Sequence, residues 1–183
     1  MTLNDILVAA LMQLDRGHDA QTLDIWRDKL TRFANDAMAE LCTAVKPKRT
    51  ETVFAPDNTF LIGDLERECV KLISVKKNGK ELGFLAEPAA GRVILSPSAD
   101  HTGDVEVTYQ CMPMELSSPT DVPELPAQCH PLIVTYVVGR ERASGDPAAQ
   151  RGANVYFQMF QAGKATLKPH LGDVQNYRIL NRW

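Results

Sequence analysis

The sequence predicts an α+β fold: N- and C-terminal helices form a helical bundle, a small antiparallel β-sandwich or barrel is inserted between them, and an extended C-terminal tail follows. Three observations predict it. Apolar residues recur at a period near 3.6 up to Pro47, at a period of 2 from Thr50 to Cys111, and at the helical period again after a Pro-rich stretch. Asn78-Gly79 lies between two alternating runs, and a type I′ turn needs positive φ at both central residues. The chain of 183 residues is 44% hydrophobic and 23% charged, which fits a globular core and not a disordered, collagen-like or disulfide-stapled chain. The implied division is a helical domain from residues 1–48 and 127–170, a β module with its connector at 49–126, and a docking tail at 171–183.

Leu3 to Leu14 carries apolar side chains at helical spacing, with Thr2 or Asn4 as the cap and Asp5 in the first turn. Asp15 to Asp19 breaks this helix. A longer one follows, with Leu23, Trp26, Leu30, Phe33, Ala37 and Leu41 on one stripe, and Pro47 ends it. Between those positions Asp24, Arg27, Asp28, Lys29, Arg32, Asp36 and Glu40 make a mixed-sign face, which reads as solvated. Six strands are expected: Glu51 to Phe54, Thr59 to Ile62, Val70 to Lys76, Lys80 to Leu85, Arg92 to Leu95 and Asp104 to Cys111. Strand alternation places most of Phe54, Phe60 and Phe84 on core faces. Met112 to Pro126 holds four prolines and reads as an extended connector. Leu132 to Ser144 is rich in β-branched residues, yet its length favours a buried helix. Gly145 stops it, and Asp146 and Pro147 start a last helix running to about Lys168. There Gly152, Tyr156, Met159 or Phe160, Gly163 and Leu167 share a packing stripe.

Several function classes are disfavoured by residue content. Twenty Lys+Arg against 23 Asp+Glu give a net charge of -3, too little positive field for a general nucleic-acid binder. No apolar run approaches the roughly 18 residues of a membrane helix, and the N-terminus lacks the order of a secretory signal. The expectation is a soluble chain made in a cytoplasm, without a membrane partner. Cys42, Cys69, Cys111 and Cys129 show no CxxC or Cys-His zinc spacing and read as reduced core thiols, so neither metal nor cofactor is expected. P-loop, GxGxxG, GxSxG and HExxH motifs are absent from the sequence. Cys129-His130 is the one adjacent nucleophile and base, but neighbours at a helix start project about 100° apart and do not face each other. His130 before Pro131 reads as part of the turn into the helix, and Glu66 with Glu68 as a solvated loop. No catalytic residue is nominated, and an enzyme is the weakest reading.

The tail LGDVQNYRILNRW sets Tyr177, Ile179, Leu180 and Trp183 among Arg178 and Arg182. From Lys164 onward Lys164, Lys168, Arg178 and Arg182 face only Asp173, a local charge of +3 in a chain of -3. An exposed terminus has little reason to be so apolar, so the tail reads as a docking element. The competing reading is a strap folded back on its own domain.

Two stretches bear a family resemblance. LDIWRDKLTRFANDAMAEL resembles a helix of tailed-bacteriophage head-to-tail adaptor proteins, through Trp26, Asp28, Leu30, Phe33, Asn35, Asp36 and Ala37. DVPELPAQCHPLIVTYVVGRERASGDPA is similar to a later passage of that family, through Pro123, Leu125, Pro126, His130, Leu132, Tyr136, Gly145 and Asp146. The resemblance implies a non-catalytic virion protein, assembled in the host cytoplasm and located in the neck between capsid portal and tail. It would form a homo-oligomeric ring, commonly dodecameric, beneath the portal and meet neck or tail proteins, while double-stranded DNA passes through the lumen unread. It also implies that Tyr177, Arg178, Ile179, Leu180, Arg182 and Trp183 dock on the portal or a neighbouring subunit. A head-closure or tail-completion ring protein is the first alternative, and a soluble β-sandwich binding module with an exposed aromatic cluster is the second.

Overall fold

The computed structural model describes residues 1–96, 102–145 and 147–167, which form a mixed α+β chain of four helices and two antiparallel sheets. Helix α1, Leu3–Gln13, starts at Thr2 rather than Asn4. The Thr2 hydroxyl accepts from the Asp5 amide at 3.2 Å and the Asp5 carboxylate accepts from the Thr2 amide at 2.8 Å. Helix α2, Ala20–Val45, is capped by Asp19, whose Oδ1 accepts from the Gln21 and Thr22 amides. Lys46 then turns left-handed and Pro47 takes the chain out of helical geometry.

Seven strands form, one more than expected: β1 Lys48–Ala55, β2 Thr59–Leu61, β3 Cys69–Lys77, β4 Lys80–Leu82, β5 Phe84–Glu87, β6 Arg92–Leu95 and β7 Gly103–Cys111. The first begins three residues before Glu51, inside the expected helical span. The extra strand comes from the run Lys80 to Leu85, which Gly83 divides between two sheets. The four-stranded sheet has order β1-β7-β3-β4 and the three-stranded sheet β2-β6-β5. Asn78 and Gly79, both at positive φ, make the β3–β4 hairpin. The sheets do not close into a barrel: β1 and β4 bound one and β2 and β5 the other, and three- or four-residue strands are too short to wrap round. Val53, Ala55, Val75, Val105, Val107 and Tyr109 of the larger sheet share one hydrophobic cluster with Phe60, Val93 and Leu95 of the smaller.

Helices α3, His130–Ala143, and α4, Pro147–Thr166, complete the fold. The third starts two residues before Leu132, with Pro131 in its first turn. Its β-branched residues Ile133, Val134, Val137 and Val138 are all buried in a second hydrophobic cluster, with α1, α2 and Phe160 of α4. Of the alternatives on α4, Phe160 is the packed one and Met159 is exposed. Gly163 lies against Leu132, whereas Gly152 meets only the end of Arg142, so the second close approach is made by Gly139 on Tyr156. The mixed-sign face of α2 is only partly solvated. Lys29 pairs with the buried Glu141 at 2.7 Å, Asp36 with Arg140 and Glu40 with Lys164. Asp146, Lys168 and the whole tail lie outside the described residues.

Candidate functional site

The expected docking residues, Tyr177, Arg178, Ile179, Leu180, Arg182 and Trp183, lie outside the described residues. The described surface offers a different feature. On the three-stranded sheet Thr59, Ile94 and Leu85 are register partners across β2, β6 and β5, and Leu61, Arg92 and Glu87 form the adjacent row. Both rows point away from the core, because the alternate positions Phe60, Val93 and Ala86 face inward. Leu61 is 54% exposed and Leu85 61%, while Ile94 is half-buried between them. Arg92 Nε donates to Glu87 Oε2 at 2.6 Å and borders the apolar positions with an ion pair. A groove of about 340 Å³ runs along the β5 side, lined by Gly83, Phe84, Leu85, Ile94, Leu95 and Ser96. Phe60 is buried and Phe84 packs on the core while Phe54 is 59% exposed on β1, so most of the three lie on core faces as expected and no exposed aromatic cluster forms among the described residues.

Sequence reasoning missed this face, although a signal was present. Phe60-Leu61, Phe84-Leu85 and Val93-Ile94-Leu95 are consecutive apolar residues on strands, and consecutive residues point to opposite faces. Such runs leave apolar side chains on both sides of a sheet.

The polar groups inside the fold are occupied by structural contacts. Tyr109 is buried, its hydroxyl donates to Glu51 at 3.2 Å and accepts from the Arg67 amide, and burial pushes its pKa up to about 12. Glu66 and Glu68 are exposed on the loop before β3, as expected, and there Glu66 bridges Arg49 and Arg67. Glu124 of the connector binds Arg67 at 3.0 Å, and that hydrogen bond holds its carboxyl below the ordinary range. His130 is buried with Nε2 3.2 Å from the Leu125 carbonyl oxygen and Nδ1 3.1 Å from the Met1 α-amino nitrogen. Burial lowers its pKa and raises that of the Cys129 thiol, which disfavours the thiolate, and both ring nitrogens of His130 are engaged by main-chain groups.

All four cysteines are free, and Cys69 is half-buried where the others are buried. Pairing of β3 with β7 makes Cys69 and Cys111 register partners, and Cys42 Sγ lies 3.4 Å from the Cys111 carbonyl oxygen. Linear spacing hid this cluster. Burial raises all three thiols, with proximity to Cys111 raising Cys42 and Cys69 further. No group of three or more His, Cys, Asp or Glu with metal-binding geometry occurs among the described residues. No protein-family model matches this chain, and no curated protein matches it.

Proposed function

We propose that this chain is a virion structural protein, a head-to-tail adaptor that assembles as a ring between the portal and the neck or tail of a bacteriophage. In this reading residues 1–48 and 127–170 form one helical bundle, residues 49–126 an inserted β-sandwich with its connector, and residues 171–183 the docking element. One observation carries it. The two stretches that resemble adaptor proteins meet in a single hydrophobic cluster: Leu30 and Ala37, with Trp26 and Phe33 packed on them, join Leu125, Leu132 and Tyr136. Residues far apart in the sequence thus serve one structural unit, as expected if the resemblance reflects a shared helical framework. Polar features support it as well. Asn35, a matched residue, exchanges two hydrogen bonds with the Leu116 main chain, at 3.1 and 2.9 Å. Trp26 lies 3.7 Å under the Arg16 guanidinium, which itself binds Glu141 of α3.

The ring contact repeats in every subunit, so a modest contribution per tail becomes large in the assembly. The purified chain is mixed with candidate portal rings or portal-bearing heads and scored by sedimentation and negative-stain imaging. Ring-shaped density below the portal is expected. Deleting Val174 to Trp183 should leave melting unchanged and abolish that density. Failure of the intact chain to bind at low or high salt refutes the adaptor reading, and loss of folding on truncation refutes the docking role of the tail.

A further inference from the structure

We propose that the outward face and the free β5 edge of the three-stranded sheet receive the segment Val174 to Trp183 of a neighbouring copy of this chain. The inference deepens the ring reading above and rests on it. Leu61, Leu85 and Ile94 give this sheet an apolar outer face that no described element covers, β5 pairs with no further strand among the described residues, and the groove of about 340 Å³ lies at the Gly83 and Ser96 end of β5 and β6. An apolar face next to an open edge is what an added strand needs. The edge supplies main-chain hydrogen bonds and the face supplies side-chain burial.

The segment Val174 to Trp183 fits that seat in three ways. Tyr177, Ile179 and Trp183 share one strand parity, interrupted by Asn181, and Arg178, Leu180 and Arg182 the other, and the two aromatics and Ile179 favour strands. Paired to the β5 edge, such a strand sets Tyr177, Ile179 and Trp183 on the outer side of the sheet beside Leu85, and Arg178 and Arg182 on the opposite side at its rim. The charges are complementary. The three-stranded sheet and its flanking turns, residues 56–64 and 83–96, hold Asp57, Asp64 and Glu87 against Arg92, whereas the segment holds Arg178 and Arg182 and no Asp or Glu. Reach is ample. Sixteen residues follow Leu167, and extended they span about 50 Å, roughly twice the length of the eight-residue β1. In a head-to-tail ring each copy then gives one segment and receives one, so the contact closes on itself.

The test uses the full chain with Leu85 replaced by photoreactive benzoylphenylalanine, an apolar substitution at an exposed position. Equal amounts of light-isotope and heavy-isotope protein are mixed, irradiated over a series of concentrations and digested for mass spectrometry. Cross-links are expected within residues 174–183, about half of them joining light to heavy chains, with a yield that rises with concentration. Ile179→Glu is expected to lower the yield about tenfold, the effect of losing a central apolar anchor. Cross-links confined to like isotopes place the segment on its own chain and overturn the inference, as do links elsewhere or none. A chain that decorates portal rings without these cross-links sinks this inference alone. A chain that shows them but binds no portal ring sinks the adaptor reading alone.

Discussion

Asn35→Ala isolates the junction between the helices and the connector. The Asn35 side chain donates to the Leu116 carbonyl oxygen at 3.1 Å and its Oδ1 accepts from the Leu116 amide at 2.9 Å. Leu116 is buried, so removing the amide leaves one main-chain donor and one acceptor without their partner, in a place poorly reached by water. An unsatisfied buried group costs about 1–3 kcal/mol, and the half-buried setting of Asn35 puts each of these near the lower end. The expected loss is about 2–3 kcal/mol, a large fraction of the roughly 5–15 kcal/mol that holds a domain folded. For a chain of this size it lowers Tm by about 5–10 °C. Urea unfolding followed by circular dichroism measures the loss directly. Asn35→Asp keeps the acceptor for the Leu116 amide and removes the donor to its carbonyl, so its midpoint should fall between those of the unmodified chain and Asn35→Ala. A change below about 0.5 kcal/mol in Asn35→Ala, the level of an ordinary surface substitution, refutes the reasoning.

Two further outcomes follow from the buried imidazole and the helix-packing glycines. Burial holds His130 below its ordinary value near 6.5, so the folded chain binds fewer protons than the unfolded chain as pH falls below that value. Its contribution to stability is therefore complete above about pH 6.5 and is lost as pH falls from there through the folded pKa. Urea midpoints at several pH values between about 5 and 7.5 should drop toward acid, and His130→Gln should flatten that slope while lowering the midpoint overall; parallel slopes count against the assignment. A Cβ on Gly139 would lie 3.2 Å from Tyr156 Cβ, an atom fixed to its helix, so Gly139→Val should cost about 1–3 kcal/mol. A Cβ on Gly152 would meet the movable end of Arg142, so Gly152→Ala should be neutral or raise stability by up to about 1 kcal/mol in thermal melts; equal losses in both variants refute the distinction.

The helices were legible because their apolar positions repeat over several turns and their ends carry recognisable residues. Thr2 with Asp5 and Lys46 before Pro47 are local signals with local causes. Helix α3 is the instructive case. Its Ile133, Val134, Val137 and Val138 have high strand propensity, but all four meet the cores of α1, α2 and α4, and burial outweighs the propensity. The sheets were legible as strands but not as a topology. Nothing between Lys80 and Leu85 states that Lys80–Leu82 pairs with β3 while Phe84–Glu87 pairs with β6, because the division depends on partners that are distant in sequence. The same limit hid the salt bridges of α2, whose partners Arg140, Glu141 and Lys164 are more than a hundred residues away. The outward apolar positions of the three-stranded sheet were signalled by consecutive apolar residues, but only register brings Leu85 and Ile94 into one row, with Leu61 in the next.

The junction between the two hydrophobic clusters bears on what a ring protein needs. The chain leaves the helices through Pro47 and returns through the connector, and both passages are bonded back. The Cys111 amide donates to the Pro47 carbonyl at 3.0 Å, and the Met112 amide donates to Glu68 at 3.1 Å. The amides of Leu3 and Asn4, in the first turn of α1, donate to the connector carbonyls of Asp121 and Pro119. Those amides have no partner within the helix itself, so the connector satisfies groups that would otherwise need water. Arg67 to Glu124 and Asn35 to Leu116 fasten the same connector to the loop before β3 on one side and to α2 on the other. A joint held at this many points fixes the angle at which the sheet is carried by the helices. In a closed ring that angle must recur in every subunit, because an error per contact accumulates around the circle. On the adaptor reading, Asn35→Ala should therefore disturb ring closure more than it disturbs the fold, yielding incomplete or irregular rings on portals at temperatures where the isolated chain is still folded.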